Sequence, residues 1–375
     1  MAPVSPLFTG HQVGAMGRVA HRVALAPLTR GRCSEDNVPT PLAALYYGQR
    51  SSGGLLISEG TCVSQEAMGW HCAPGVFRSD QVAAWRWVTA SAKAKGSVFV
   101  CQLWHLGRAT LKEVTGMQPV SASPIALKGE TIGLNVVRKA SEVPRELTLA
   151  DIERTVEDFG VAAENALRAG FDGVEIHGAN GYLIDQFLQP LTNVRKDQYG
   201  GSLENRLRFL TQVLDRVIEA VGAGKVGVRF SPNGAFNEMG DELNHETFEA
   251  AIKLCADRKI GYVHVMDGLA FGFHNKTKEP FTLAQARKAL GASGVTLIGN
   301  CGHTKADAER LIGAGDADII AFGRPYLSNP DLPYRLQHNL PLAPALGYPL
   351  WYTGGATGYT DQPFADERQA DAKHD

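Results

Sequence analysis

The sequence predicts one α/β domain, a single (β/α)8 TIM barrel with an N-terminal hairpin and a long loop after the third strand. Eight short, mostly apolar segments recur along the 375 residues, and helical segments with apolar side chains three or four residues apart separate them. Strands that are apolar on both faces are typical of parallel sheets covered by helices. Eight such strands favour a closed barrel over an open sheet.

The predicted elements follow one another in a regular order. Residues 7 to 18 carry three glycines in a short alternating pattern, which predicts a hairpin that closes the bottom of the barrel. A long helix has a start signal in Thr148 and Asp151, apolar residues at helical spacing, and a stop signal at Gly170. The barrel strands are predicted at residues 23–26, 54–58, 98–103, 172–177, 226–230, 262–265, 295–299 and 318–322.

Two segments depart from this order. Roughly 40 residues, Leu106 to Leu147, separate the third strand from its helix, and a loop of that length is typical of a lid or binding element. From Asp361 onward the chain has little apolar content. We therefore expect one barrel domain over residues 1–360 and a flexible tail over residues 361–375.

Composition narrows the classes of function. The chain has 37 Lys plus Arg against 39 Asp plus Glu, and the net charge of −2 indicates neither a nucleic-acid nor a membrane partner. No apolar run reaches the roughly 18 residues of a spanning helix, and the N-terminus lacks the features of a signal peptide. The six cysteines form no CxxC pair, which indicates reduced thiols in the cytoplasm. Small molecules are the expected partners.

No motif indicates a metal site or a Rossmann dinucleotide site. Residues 222–227 read GAGKVG and match GxGxxG, but that fingerprint must follow a strand and open a helix, whereas this copy precedes a strand. We interpret it as a helix end and turn. Neither GxxxxGK nor HExxH occurs, so that neither a P-loop nor a zinc protease is indicated, and we expect no metal.

Polar residues cluster at and beyond the end of the fourth strand. Val174 and Ile176 alternate with polar or small neighbours, and the polar positions continue as His177, Asn180 and Tyr182. Because functional sites collect at the carboxyl ends of barrel strands, these three residues predict two donors and a hydroxyl at one rim. A core histidine and a core tyrosine are the alternatives for His177 and Tyr182 taken singly.

The ends of the first and third predicted strands carry further candidate site residues. Pro27 and Thr29 leave the first strand, where Thr29 offers a hydroxyl, although a plain strand exit is an equal alternative. Gln102 and Trp104 share one face of the third strand. Together they suit a flat heteroaromatic ligand, whereas Gln102 alone could be a satisfied core amide.

Charged and glycine-rich positions complete the candidate site. An inward Arg229 in the fifth strand needs an anion, which is either Glu175 in a direct ion pair or negative charge on a bound ring. Glycine loops follow the seventh and eighth strands at residues 299–302 and 322–325. Such loops commonly bind phosphate, for which Arg324 offers a forked clamp, and two ordinary turns are the alternative.

Together these segments resemble the old yellow enzyme family of FMN-dependent ene-reductases, which includes the 12-oxophytodienoate reductases. The resemblance runs from about Leu7 to Pro363 and rests on eight stretches in register at strand ends. They are APLTR (26–30), SEGT (58–61), QLWHLGR (102–108), HGANGYLIDQFL (177–188), DQYGGSLENRLRF (197–209), VGVRFSP (226–232), FGRPYLSNPDL (322–332) and YPLWYTGGATGYTD (348–361).

The resemblance implies tightly bound, non-covalent FMN, with NADPH or NADH as the hydride donor. Thr29 would bond the flavin O4, Gln102 the pyrimidine edge, and Arg229 would face N1 and O2. Arg324 and the glycines of the last two loops would take the phosphate. The implied flavin contacts are Ala26, Pro27, Leu28, Thr29, Gly60, Gln102, His177, Arg229, Asn300, Cys301, Gly302, Phe322, Gly323 and Arg324.

The resemblance also implies an activity. The chain would reduce the C=C bond of α,β-unsaturated carbonyl compounds (enones, enals, maleimides) by a ping-pong mechanism, as a monomer or homodimer. His177 and Asn180 would bind the carbonyl oxygen, and Tyr182 would donate the proton. The implied substrate-binding residues are Trp104, His177, Asn180, Tyr182, Phe271 and Tyr352.

Two positions vary within that family, and three other functions are open. Asn180 stands where some members have His, which affects donor geometry, and Thr29 stands where another branch has a redox-modulating Cys. A related FMN barrel, such as a dienoyl-CoA reductase, would carry an iron–sulfur cysteine cluster that this sequence lacks. A non-catalytic flavin-binding protein and a flavin-free aldolase-type barrel are the remaining alternatives.

Overall fold

The computed structural model describes residues 5–52, 54–268, 279–352 and 354–365 of the chain. Its strands are β1 (His11–Val13), β2 (Gly17–Val19), β3 (Val23–Leu25), β4 (Leu55–Ile57), β5 (Thr61–Cys62), β6 (Val98–Trp104), β7 (Val120–Ser121), β8 (Glu130–Ile132), β9 (Arg138–Ala140), β10 (Arg145–Glu146), β11 (Gly173–His177), β12 (Val226–Phe230), β13 (Tyr262–Met266), β14 (Thr296–Asn300) and β15 (Ile319–Phe322). Its α-helices are α1 (Pro41–Gln49), α2 (Ser79–Ala92), α3 (Lys112–Thr115), α4 (Leu149–Arg168), α5 (Leu183–Leu188), α6 (Leu203–Val221), α7 (Asn244–Asp257), α8 (Leu283–Leu290), α9 (Lys305–Ala314), α10 (Arg324–Ser328), α11 (Leu332–His338) and α12 (Pro349–Tyr352).

The strands β3, β4, β6 and β11 to β15 pair in parallel in that order, and β15 pairs with β3 to close the ring. Each of the eight overlaps one predicted strand, and all their residues are buried. Apolar side chains on both faces explain this burial, because one face packs inside the barrel and the other against the helices. The predicted (β/α)8 barrel is confirmed, and the carboxyl ends of all eight strands meet at one face.

The predicted hairpin covers the opposite, amino-terminal face. Strands β1 and β2 pair antiparallel, and the backbone amide of Ala15 in their turn donates to Gly224 O at 2.8 Å. Gly14 has a φ of +46°, and a Cβ there would lie 2.3 Å from Gly224 O. Val13 and Met16 pack into the lower barrel interior. Ligand access is therefore left to the carboxyl-terminal face.

Helix α4 begins and ends at its predicted signals. Thr148 caps α4, since its Oγ1 accepts from the backbone of Asp151 at 3.2 Å while Oδ2 of Asp151 accepts from Thr148 N at 3.1 Å. After α4, Gly170 adopts a φ of +93° that favours glycine. The GAGKVG stretch is a helix end and turn as expected: α6 ends at Val221, a 3-10 turn covers Ala223–Lys225, and β12 follows.

The long connection after β6 contains α3 and β7 to β10. A buried Arg108 ties it to the loop after β12, because one guanidinium nitrogen donates to Ile125 O at 2.9 Å and another to Asn237 O at 3.0 Å. The two loops are thereby joined above the barrel strands that carry the candidate site.

The segment after residue 360 is described only in part. Residues 361–365 contact the barrel, where Ala365 N donates to Asp331 Oδ2 at 2.8 Å and Arg335 donates to Pro363 O at 3.2 Å. Residues 366–375 of the predicted tail lie outside the described residues, and the boundary at residue 360 stays a prediction. Within the described ranges, no helix is long and apolar enough to cross a membrane.

Candidate active site

A cavity of about 410 Å³ opens at the carboxyl ends of the barrel strands. The strand-end loops bring together residues that are far apart in sequence, and most residues of the predicted site line it. These are Ala26, Pro27, Leu28, Thr29, Gln102, Trp104, His177, Asn180, Tyr182, Arg229, Asn300, Cys301, Gly302, Phe322, Gly323, Arg324 and Tyr352.

Two residues of the predicted site, Gly60 and Phe271, are not among the described residues that line the cavity. Gly60 is buried behind it, and a Cβ at this position would lie 2.3 Å from the Trp104 ring, so glycine makes room for the indole. Its predicted flavin contact stays a prediction. Phe271, predicted to line the substrate cavity, lies outside the described residues.

The end of β11 and the turn after it carry His177, Asn180 and Tyr182, which all line the cavity. Asn180 and Gly181 both adopt left-handed backbone conformations, with φ of +60° and +68°. Three bonds hold the turn: Asn180 N donates to Ser231 Oγ at 2.7 Å, Asn237 Nδ2 to Asn180 O at 2.9 Å, and Gly181 N to Asp185 Oδ2 at 2.9 Å. The strained backbone is thus fixed by two residues of the loop after β12 and by one residue of α5.

The proton positions on His177 follow from its local contacts. Its Nδ1 lies 3.3 Å from the backbone N–H of Ala179 and accepts from it, so that in the neutral ring the proton is on Nε2. Burial and the nearby charge of Arg229 lower the pKa of His177 well below its usual value. The ring is therefore neutral near pH 7 and can donate from Nε2.

Tyr182 stands in an aromatic corner of the cavity. Its ring meets the Trp104 and His177 rings edge to face, with centroids 4.9 Å and 5.0 Å away. Burial raises the pKa of Tyr182 above its usual value, so the hydroxyl keeps its proton at neutral pH. The hydroxyl makes no hydrogen bond to another described residue and is available to a ligand.

The polar floor of the cavity corrects one expectation. Among the described residues, Arg229 and Glu175 form no ion pair within 4.0 Å. Instead Arg229 Nη2 donates to Asn300 Oδ1 at 2.7 Å, and Gln102 Nε2 donates to Glu175 at 2.7 Å. The reason is register: Glu175 lies opposite Gly227 in the neighbouring strand, whereas Arg229 lies opposite His177. The Arg229 Nε is buried without a partner in the described chain.

The loops after β14 and β15 form an open end of the cavity. Gly302 has a φ of +92°, and a Cβ there would meet no atom of the described residues within 4 Å, so its backbone is approachable. Among the described residues, a Cβ on Gly323 would approach only a Leu28 methyl within 4 Å, at 3.3 Å. Arg324 is exposed beside them. Approachable backbone and a guanidinium are what a phosphate group requires.

Other residues line the cavity that were not among the predicted site residues. Trp70 and Trp351 line the wall, and the Trp70 ring lies 4.8 Å from that of Tyr352. Met266 could have been found, since it ends a barrel strand. Trp70 could not, because it lies in irregular chain far from any strand end. Pro325 also lines the cavity and belongs to the predicted loop 322–325, whereas His303, Ala321, Leu327 and Ala345 were not predicted.

Comparisons with known proteins agree with this geometry. The model of the NADH:flavin oxidoreductase / NADH oxidase family matches residues 6–343. The crystal structure of an old yellow enzyme homologue from Zymomonas mobilis superimposes with a TM-score of 0.91 at 41% identity, over 95% of this chain and 99% of that one. This chain belongs to the old yellow enzyme family. The predicted family is confirmed, and so is the (β/α)8 fold of such an enzyme.

Other relatives of this old yellow enzyme support the same assignment. A putative 12-oxophytodienoate reductase 11 of Oryza sativa subsp. japonica is 40% identical over 97% of this chain and 99% of its own length. The 12-oxophytodienoate reductase 2 of Arabidopsis thaliana is 39% identical over 96% of this chain and 95% of its own. Morphinone reductase superimposes with a TM-score of 0.91 at 36% identity, covering 98% and 99% of the two chains.

Family membership establishes the cofactor and the enzyme class. As an old yellow enzyme, the protein is an NAD(P)H-dependent flavin oxidoreductase whose cofactor is FMN. The described residues fit this group. Gln102 and the unpartnered Nε of Arg229 can bond a flat ring with polar edges, and the loops at Gly302 and Gly323 leave room for a phosphate.

Proposed function

We propose that this old yellow enzyme reduces the C=C bond of α,β-unsaturated carbonyl compounds such as enones, enals and maleimides. Bound FMN supplies the hydride chemistry that links NADPH or NADH to the alkene. The observation that carries the proposal is the convergence of His177, Asn180 and Tyr182 on one side of the cavity.

In this proposal His177 and Asn180 bind the carbonyl oxygen of the substrate. Negative charge moves onto that oxygen as the β-carbon accepts a hydride, and donors already in place act where the charge develops. His177 offers Nε2–H because Nδ1 accepts from Ala179, and Asn180 offers its side-chain N–H. By analogy with oxyanion-hole donors, each contributes roughly 10²- to 10³-fold to the rate.

Tyr182 is the proposed proton donor to the substrate α-carbon. Its raised pKa keeps the proton on the hydroxyl, and that hydroxyl has no competing acceptor among the described residues. Because the Trp104 and His177 rings hold the Tyr182 ring on two sides, the proton is presented in one direction.

We assign the cofactor to further residues that line the same cavity. Thr29 and Gln102 would bond the polar edge of the ring, and Arg229 would face the side that carries N1 and O2. Arg324 and the backbone at Gly302 and Gly323 would hold the phosphate. Support comes from the fact that all these residues line one cavity, and Gly60 would act from behind Trp104.

The same cavity would serve both reactants in turn, which is a ping-pong mechanism. A neighbouring structure, morphinone reductase in complex with tetrahydroNAD, superimposes with a TM-score of 0.88 at 37% identity. We propose that NADPH or NADH enters this chain's cavity in a comparable way, leaves, and is replaced by the alkene. We further propose a cytoplasmic enzyme that is a monomer or homodimer.

Three readings on purified protein test the proposal. The protein should be yellow, should release FMN on denaturation, and should oxidise NADPH faster when cyclohexenone or maleimide is added. Yellow protein whose NADPH-reduced form is not reoxidised by any of these alkenes in the absence of oxygen would show a flavin protein without the proposed activity. Colourless protein that FMN cannot reconstitute would contradict the cofactor assignment as well.

A further inference from the structure

A buried carboxylate lies beneath the cavity floor, and the proposed mechanism does not use it. Glu175, on β11, is completely buried. Its Oε1 accepts from Gln102 Nε2 at 2.7 Å, and its Oε2 accepts from Tyr262 Oη at 3.0 Å and lies 2.9 Å from His264 Nδ1. Gln102 and Tyr262 donate to this carboxylate and His264 can donate from Nδ1, which is the arrangement expected for an ionised group, because such a group can only accept.

The protonation state agrees with that geometry. Burial alone would raise the pKa of Glu175, but its interaction with His264, the positive charge of Arg229 and the Gln102 hydrogen bond bring the pKa below its usual value. Glu175 therefore carries a negative charge at neutral pH. A buried charge of this kind is costly unless its bonds are complete, and these are.

The barrel is built to accommodate this group. In the layer of residues that face inward, Gln102, Glu175, Gly227 and Tyr262 lie side by side on four consecutive strands. A Cβ on Gly227 would lie 2.2 Å from the Tyr262 ring. Because glycine stands there, the tyrosine can reach across β12 to the carboxylate.

Glu175 decides which end of the Gln102 amide faces the cavity. A carboxylate accepts hydrogen bonds and cannot donate them, so Nε2 of Gln102 must point to Glu175 and Oε1 must point away. Gln102 lines the cavity, and its Oε1 accepts from no other described residue. The amide therefore presents an acceptor, which matches a ring N–H and repels a ring oxygen.

Glu175 also offsets the charge of Arg229. Burial lowers the pKa of Arg229, and the nearby carboxylate charge opposes that effect and helps to keep the guanidinium protonated. The two charges lie too far apart for a direct ion pair, so the carboxylate acts through space. Without it, Arg229 would present its positive charge to the cavity uncompensated.

We infer that Glu175 is a positioning residue that tunes the bound flavin. It turns the Gln102 carbonyl toward the ring N3–H of FMN and weakens the field of Arg229, which lowers the reduction potential of the cofactor. This inference rests on the part of the proposed function that places Gln102 and Arg229 at the ring, and it does not depend on which alkene is reduced.

The test is the midpoint potential of bound FMN in Glu175→Gln, measured by equilibration with reference dyes. Loss of the negative charge should favour the reduced cofactor, which gains negative charge. We expect the ratio of the oxidised to the reduced FMN dissociation constants to rise about tenfold, which is about 30 mV for a two-electron couple. An unchanged or lower potential in yellow Glu175→Gln protein would overturn the inference.

Tyr262→Phe is the matched control. It removes one hydrogen bond to Glu175 but keeps the carboxylate charge and the Gln102 bond, so the potential should move by much less than in Glu175→Gln. A role in packing alone would instead weaken oxidised and reduced FMN equally in both variants and leave their potentials unchanged. That result would contradict the inference while leaving the proposed ene-reduction intact.

A second measurement needs no variant and remains decisive if Glu175→Gln does not fold. FMN methylated at N3 cannot donate to Gln102, so the wild-type apoprotein should bind it at least tenfold more weakly than FMN. Equal affinities would show that the Gln102 carbonyl does not face N3–H, and this would overturn the inference even where enone reduction is observed.

Discussion

The hydroxyl of Tyr182 makes the clearest prediction for a single residue. Tyr182→Phe keeps the ring that packs against Trp104 and His177 but removes the proton. We expect reoxidation of the NADPH-reduced enzyme by cyclohexenone to slow by about 100-fold or more, since a positioned general acid contributes 10²- to 10⁴-fold. Reduction by NADPH should stay nearly as fast as in wild type. Stopped-flow absorbance in the flavin band measures both half-reactions separately.

The comparison between half-reactions serves as the internal control for Tyr182→Phe. A distorted cavity would slow both, because the same walls contact both reactants. Equal losses in reduction and reoxidation would therefore contradict the role of Tyr182 as proton donor and would indicate a packing defect instead.

Among the loops, the turn at Asn180 depends on a neighbour from another loop. Asn237 donates to Asn180 O at 2.9 Å and itself has a φ of +55°. Asn237→Gly tolerates that φ and deletes only the side-chain bond. We propose that a phenol would bind through its oxygen at the same donors as a substrate carbonyl, and we expect its affinity to fall about fivefold, in line with one hydrogen bond. Affinity for FMN should be unchanged. Spectral titration of the holoenzyme measures the affinity for the phenol, and fluorescence titration of the apoprotein measures the affinity for FMN.

Asn135→Gly is the matched control for that turn. Asn135 also has a φ of +55°, but it lies in the long loop after β6 and is absent from the cavity wall. The two substitutions change backbone freedom equally. If both weaken phenol binding to the same extent, the bond from Asn237 to Asn180 is not what positions the carbonyl site.

These elements also show what a sequence can and cannot predict here. The barrel strands were predictable because burial on both faces leaves a local apolar pattern. The site was predictable in part, because the polar residues His177, Asn180 and Tyr182 stand at the end of β11 and just after it. The hydrogen bonds that hold Asn180 could not be predicted from the sequence, because Ser231 and Asn237 lie in a later loop that comes near Asn180 only when the chain folds. Of the two alternatives for Arg229, the direct ion pair with Glu175 was wrong, because the adjacency of two strands does not give their register.

At the scale of the whole molecule, FMN should act as a structural ligand that ties the barrel together. The ends of seven of the eight barrel strands, all but the second, line the cavity, so one ligand there would contact elements far apart in sequence. At 100 times its dissociation constant, FMN should stabilise the fold by about 2.7 kcal/mol. Thermal unfolding of apoprotein at increasing FMN concentration measures this as a rising Tm. A Tm that does not respond to FMN would contradict binding to the folded barrel.

Arg324→Ala should change how this stabilisation depends on the phosphate. Riboflavin has the same ring as FMN but no phosphate, so it should raise the Tm of wild-type apoprotein less than FMN does at equal concentration. Because Arg324 is exposed at the cavity end where Gly302 and Gly323 leave their backbone open, its removal should cost little stability in the apoprotein. It should weaken FMN binding about tenfold, as expected for a charge-assisted hydrogen bond, and leave riboflavin binding unchanged. If Arg324→Ala weakened both ligands equally, the phosphate would have to be held elsewhere, and the assignment of the loops after β14 and β15 would be wrong.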